Sequence, residues 1–213
     1  MSNLLKYENY YWKLDNKYIA GIDEVGRGSL AGPVVSSCVI LPNNKKILEK
    51  LSLVDDSKKL NSKLREKLFY IIINNCLDYS ITFINSKIID EINILQATFL
   101  SMKKCINKLK IVPDIILLDG NKKIPDIGIE QKTIVKGDSK SISIASASII
   151  AKVCRDKFMI KIANKYPKYF FQKNKGYGTK EHIEQIKKNG LSDIHRITFC
   201  KNIIQEQLSL NIF

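Results

Sequence analysis

Four acidic residues occupy positions at which carboxylates can do metal chemistry. Asp23 and Glu24 close a β-prone run at residues 18–24, and Asp119 closes the short apolar run Ile115-Ile116-Leu117-Leu118. Asp138 stands between a further run, Lys132 to Val135, and a long helical stretch beginning near Ser141. Functional groups of sheet proteins gather where strands end. Hard cations such as Mg²⁺ or Mn²⁺ take a few carboxylate oxygens while keeping waters and a substrate phosphate in their shell. Two such ions, about 4 Å apart, suit an in-line displacement at phosphorus. Taken singly, each acid has another use. Asp23-Glu24 fits a solvated strand end, Asp119-Gly120 a turn, and Asp138 a helix cap. Neighbouring strand residues also face opposite sides of a sheet. Asp23 and Glu24 therefore serve one ion only if the strand bends, which Gly26 and Gly28 permit, or if Glu24 offers its backbone carbonyl.

The elements that must carry these acids follow from periodicity. Tyr18-Ile19-Ala20-Gly21-Ile22 and Val34-Val35-Ser36-Ser37-Cys38-Val39-Ile40-Leu41 read as a strand pair joined by a long Gly- and Pro-containing connection. A helix is expected from about Ser62 as N-cap, then a strand over Tyr79 to Ile84. Asn93, with Gln96 three residues on, forms a capping-box pattern that opens a second helix. Its stripe of Leu95, Phe99, Met102, Ile106 and Leu109 is core, and Pro113 stops it. The Ile115–Leu118 run predicts a strand buried on both faces. In the helix from Ser141, the small residues Ala145, Ser146, Ala147, Ser148 and Ala151 allow close approach to a sheet. Residues 179–190 and 198–210 read as a C-terminal helical layer. This order implies an α/β fold: a mixed sheet with helices on its faces.

A chain of 213 residues fits one domain. Its net charge of +14, carried by pairs such as Lys45-Lys46, Lys58-Lys59, Lys122-Lys123 and Lys187-Lys188, fits a polyanionic partner; a general bias toward Lys, Asn and Ile is the competing explanation. No run of about 18 apolar residues is present, and Met1 to Tyr18 mixes charges among aromatics, so a cytoplasmic protein without a membrane partner is expected. Cys38, Cys76, Cys105, Cys154 and Cys200 form no CxxC pair and read as free thiols.

Several motifs, in order, resemble ribonuclease HII. They are Gly21-Ile22-Asp23-Glu24-Val25-Gly26-Arg27-Gly28 with Leu30-Ala31-Gly32-Pro33; Asp55-Asp56-Ser57-Lys58-Lys59-Leu60; Asn93-Ile94-Leu95-Gln96-Ala97-Thr98; Leu118-Asp119-Gly120-Asn121; Lys136-Gly137-Asp138-Ser139; Ala151-Lys152-Val153 with Arg155-Asp156; and Lys175-Gly176-Tyr177-Gly178-Thr179. The resemblance implies a ribonuclease H-like fold with a central mixed five-stranded sheet flanked by helices. Its core would span about 18–166, with a C-terminal helical part at about 167–213. It also implies a catalytic, metal-binding set at Asp23, Glu24, Asp119 and Asp138 served by Mg²⁺ or Mn²⁺. The substrates implied are RNA–DNA hybrids and duplex DNA with embedded ribonucleotides, nicked on their 5′ side to give 3′-hydroxyl and 5′-phosphate ends. Gly26, Arg27 and Gly28 would sense the ribose 2′-hydroxyl, and Tyr177 would pack on the nucleotide at the junction.

A non-catalytic hybrid-binding protein is the alternative from another class, and a junction resolvase the rival nuclease. Ser29, Ser146 and Ile197 depart from the usual family residues, respectively Pro, Ala and a basic side chain. The sibling ribonuclease HIII differs at Arg27 and carries an extra N-terminal domain, whereas 18 residues precede the first strand here. Gln207-Leu208-Ser209-Leu210-Asn211-Ile212-Phe213 looks like a sliding-clamp docking tail, or else finishes an amphipathic segment packed on the body. Whether clamp binding is lost on removing 207–213 separates the two. A monomer is expected, and His182 and His195 receive no role.

Overall fold

The computed structural model describes residues 4–54 and 60–210, with side chains to Gln205. The motif residues Asp55 to Lys59, the side chains of the 207–210 segment, and Asn211 to Phe213 lie outside the described residues. The elements run α1 (Lys6–Lys13), β1 (Ile19–Val25), β2 (Val34–Ile40), α2 (Lys45–Lys50), α3 (Ser62–Ile73), β3 (Asp78–Ile84), α4 (Ser86–Lys108), β4 (Ile115–Asp119), β5 (Glu130–Ile134), α5 (Ile142–Ala163), α6 (Phe171–Asn174), α7 (Lys180–Asn189) and α8 (Ile197–Leu210). The five strands lie in the order β3-β2-β1-β4-β5. β1, β2 and β3 pair antiparallel, while β4 and β5 continue parallel from β1. The sheet is therefore mixed, as the order of elements predicts.

Alternation along β1 assigns its faces. Ala20 and Ile22, with Cys38, Ile40, Ile116 and Leu118, pack on Met102, Cys105 and Ile106 of α4. Ile19, with Ile115 and Leu117, packs on Ile144 of α5. Gly21 points the same way, and a Cβ there would lie 2.1 Å from the Ser143 carbonyl carbon. The missing side chain, with the small residues of α5, lets that helix lie directly on the sheet centre. This approach fixes the height at which the next residues on the same face, Asp23 and Ser148, meet.

Several boundaries differ from the sequence reading. Asn61, not Ser62, caps α3, accepting from the Leu64 N–H at 2.9 Å. α4 begins at Ser86, capped by Asn85, and is kinked at Asn93, where φ is 64°. The Asn93 side chain accepts from the N–H groups of Leu95 and Gln96, so its capping signal marks a restart within a longer helix. α4 ends at Lys108, before Pro113 can act. β5 ends at Ile134, because Val135 is exposed and Lys136 takes a left-handed conformation. α1 was not foreseen. Its buried Glu8 accepts from the Ser141 hydroxyl and the Ser143 N–H, bridging α1 to the start of α5. The five cysteines are free. Among the described residues no helix is long and apolar enough to cross a membrane. Ser29 and Ser146, two of the family departures, are buried with hydroxyls that have no hydrogen-bond partner among the described residues. Each carries a desolvation cost that Pro or Ala would avoid.

Candidate active site

β1 and β4 run parallel, and their last paired residues are Ile22 and Leu118. The next residues along are Asp23 and Asp119, so the register itself brings the two carboxylates side by side. Asp23 is 5% exposed. Burial, and then the negative charges of Glu24 and Asp119, hold its carboxyl well above the usual aspartate range, against the opposing effect of hydrogen bonds from Ser148 and the Glu24 N–H. Asp119 accepts from the Gly137 N–H at 2.6 Å. That bond ties the end of β4 to the turn Gly137–Ser139, which carries the buried Asp138.

The strand does not bend at Glu24. Pairing of β1 with β2 stays regular through Glu24↔Ser36 and Val25↔Val35. Asp23 accordingly faces α5, and Glu24 faces α4. They still share a site because β4 stops there. A cavity of about 350 Å³ is lined by Asp23, Glu24, Asp119, Ser148, Lys152 and Tyr177. A second, of about 200 Å³, lies on the α4 side and is lined by Glu24, Arg27, Phe99, Asp119, Asn121 and Lys122, among others. Glu24 and Asp119 line both. The structure thus unites Asp23, Glu24, Asp119 and Tyr177 in one cleft. Asp138 follows directly on the residue that bonds Asp119, without lining either cavity.

Among the described residues no three acids, histidines or cysteines form a ready metal cage. The donor chemistry nevertheless fits a hard cation. All four groups are carboxylates, and no basic side chain is ion-paired with Asp23 or Asp119 among the described residues. An open set of this kind matches an ion that keeps several waters.

The loop between β1 and β2 is held from inside by two buried arginines. Arg155 donates to the carbonyls of Pro33, Lys175 and Ala31 at 2.9, 2.9 and 3.2 Å. Arg196 donates to Gly32, Arg27 and Gly26, with its shortest bond 2.7 Å to Gly26. The two glycines have different reasons. Gly26 has φ +89°, and a Cβ there would lie 2.2 Å from Arg155 Nε, whereas a Cβ on Gly28 would meet nothing within 4 Å. Gly26 serves the fold; Gly28 leaves open space. Arg27 pairs with Glu24 at 3.1 Å. Tyr177 joins the same wall: the Gly176 carbonyl accepts from the Leu30 and Ala31 N–H groups. Its ring centre lies 5.2 Å from the Arg155 guanidinium and 5.5 Å from Lys152 Nζ. Ile197, the third departure, is exposed at the start of α8, its N–H bonded to Asp90.

Sequence reasoning placed Arg155 within a motif without giving it a role and did not single out Arg196. Their signal was an arginine on an otherwise small and apolar helix face and another directly after a histidine. The roles depend mostly on carbonyls more than 120 residues away.

The ribonuclease HII family model matches residues 20–202. The ribonuclease HII of Endomicrobium trichonymphae is 51% identical over 212 residues, covering 99% of both chains. Among solved structures, ribonuclease H2 from Pyrococcus horikoshii OT3 superposes with a TM-score of 0.73 at 29% identity, covering 90% of this chain and 99% of that one. The ribonuclease HII of the Archaeoglobus fulgidus PCNA complex also gives 0.73, at 27% identity, with 87% and 96% covered. The sheet order, the acids at its edge and this likeness along almost the whole chain lead to one assignment: the protein belongs to the ribonuclease HII family of ribonuclease H endonucleases.

Proposed function

We propose that the protein nicks duplexes on the 5′ side of ribonucleotides, in RNA–DNA hybrids and at single ribonucleotides in DNA, leaving 3′-hydroxyl and 5′-phosphate ends. The observation that carries this reading is the shared wall, in which the Gly26-Arg27-Gly28 loop and Tyr177 border the cleft of Asp23, Glu24 and Asp119. A 2′-hydroxyl distinguishes RNA from DNA, and reading it takes backbone groups at short range. The open side of Gly28 admits a ribose that close. Tyr177 offers an aromatic face for the nucleotide beside the cut. Arg27, now on Glu24, has the planar fork to transfer to an arriving phosphate.

Asp23, Glu24, Asp119 and Asp138 would hold Mg²⁺ or Mn²⁺. When bound, such ions supply an activated water and charge stabilisation for the leaving 3′-oxygen. The chain's own contribution is placement: Gly137 orients Asp119, and Ser148 and the Glu24 N–H orient Asp23. Lys152 and Lys122, in the cavity walls, add positive charge near the phosphate path. This reading is tested by offering two labelled substrates, a DNA duplex with one central ribonucleotide and an all-DNA four-way junction. A single cut 5′ to the ribonucleotide, with a product that a polymerase extends, and an intact junction are expected. Junction cutting would favour the resolvase instead, and binding of the duplex without cutting would favour the hybrid-binding protein.

A further inference from the structure

The two histidines line neither cavity and reach Tyr177 through its backbone. His182 Nδ1 is 2.8 Å from the Tyr177 carbonyl, and His182 Nε2 is 3.1 Å from His195 Nε2. His195 Nδ1 accepts from the Ser192 N–H at 2.9 Å, with the Ser192 hydroxyl 2.8 Å away. His182 and His195 are 0% and 3% exposed.

The partners settle every proton. A carbonyl only accepts, so His182 Nδ1 carries hydrogen; an amide N–H only donates, so His195 Nδ1 is bare. His195 must then donate from Nε2 to the lone pair of His182 Nε2. Both rings are neutral, and a further proton on either has no place without breaking a bond in the chain. We propose that His182 and His195 are positioning residues, forming a neutral relay from Ser192 to the Tyr177 carbonyl that fixes the loop presenting the Tyr177 ring to the cleft. This rests on the proposed contact of Tyr177 with the nucleotide.

The surroundings agree. Tyr169 and Phe171 pack their rings against both imidazoles. Arg196, next in the chain, turns its guanidinium to the loop carbonyls, and Asp193 is engaged by Tyr166 and Lys165. No acid is bonded to either ring among the described residues. Burial, with His182 adding to it, pushes His195 down to about 4, and burial also lowers His182. An unfolded histidine takes a proton near 6.5. Between that pH and about 4 an unfolded histidine binds more protons than the folded His195, so the stability that this pair contributes is full above pH 6.5 and is lost as pH falls.

Two measurements on the full chain test the relay. Long-range ¹H–¹⁵N spectra at pH 7.5 should show His182 protonated at Nδ1 and His195 at Nε2; averaged tautomers at both rings would overturn it. The second is a double-mutant cycle on single-ribonucleotide nicking. His182→Phe is expected to slow nicking about tenfold, and His182→Asn, whose amide can still donate to the Tyr177 carbonyl, to restore most of it. In a Tyr177→Ala background, His182→Phe should cost less than about twofold. If Tyr177→Ala nicks at the wild-type rate, the reading of Tyr177 itself fails. If Tyr177→Ala is slow, but His182→Phe is harmless alone or costs its full tenfold in both backgrounds, the relay alone fails. Should His182→Phe not fold, Ser192→Ala enters the same cycle. A two- to threefold loss that vanishes with Tyr177→Ala is then expected, and a loss that persists overturns the relay.

Discussion

Asp119→Asn is expected to abolish nicking, by about a thousandfold or more in the single-turnover rate, while the protein stays folded and binds duplex. The substitution changes charge with almost no change of shape. The side-chain oxygen that accepts from the Gly137 N–H is retained, so the junction between β4 and the Asp138 turn keeps its anchor. What disappears is one of the negative charges that hold the Asp23 carboxyl up, and with it a carboxylate that lines both cavities of the site. Stability should therefore hold or rise slightly, since like-charge repulsion is relieved. Activity and stability thus move independently, which separates a catalytic role from a structural one. Urea unfolding, fluorescence anisotropy with a labelled duplex, and rapid-quench cleavage measure the three quantities. A variant that cuts within tenfold of wild type would remove Asp119 from the catalytic set.

Replacing Arg196 acts in the opposite way, through the fold first. Its guanidinium is fully buried and makes four hydrogen bonds to the carbonyls of Gly26, Arg27 and Gly32. Charge-assisted bonds of this kind contribute more than neutral ones, and their loss strands buried acceptors. Arg196→Ala should cost about 4 kcal/mol of unfolding free energy. Arg196→Lys should recover only part, because a point charge cannot span carbonyls that a planar fork bridges. With the fraction folded corrected for, nicking should still fall, since the loop that borders the cleft has lost its inner clamp. By contrast, the exposed pair of Lys165 and Asp193 is expected to contribute almost nothing. Urea melts of the two Arg196 variants test this ranking. An Arg196→Ala protein with wild-type stability would mean that the carbonyls find other donors.

Much of this was legible before the coordinates because it is local or periodic. The strand pair, the buried run ending at Asp119, the small-residue helix and the capping role of Asn93 each follow from residues within a few positions of one another. Where the sequence misled, a nearby signal competed with one further off. Asn93 has the chemistry of a helix start and performs it, but an earlier cap, Asn85, begins the same helix before the kink. Val135 has β propensity, yet the turn at Lys136 takes it out of the strand. The alternation rule correctly set Asp23 and Glu24 on opposite faces. It could not reveal that the neighbouring strand ends there and opens both faces onto one cleft. Arg155 and Arg196 act through backbone groups distant in the chain, which no spacing in the sequence records, whereas His182 and His195 bond residues five and three positions away but are joined to each other only by the fold.

The proposed role of the carboxylates at the ends of β1 and β4 is to hold a divalent cation for cutting beside a ribonucleotide. Its most direct test follows nicking of a 5′-labelled DNA duplex with one ribonucleotide, first in EDTA and then with excess Mg²⁺ or Mn²⁺ restored. No product in chelator, and one nick 5′ to the ribonucleotide when metal returns, is the expected result. Undiminished cutting in EDTA, or retained binding with no cutting under either metal, would contradict it.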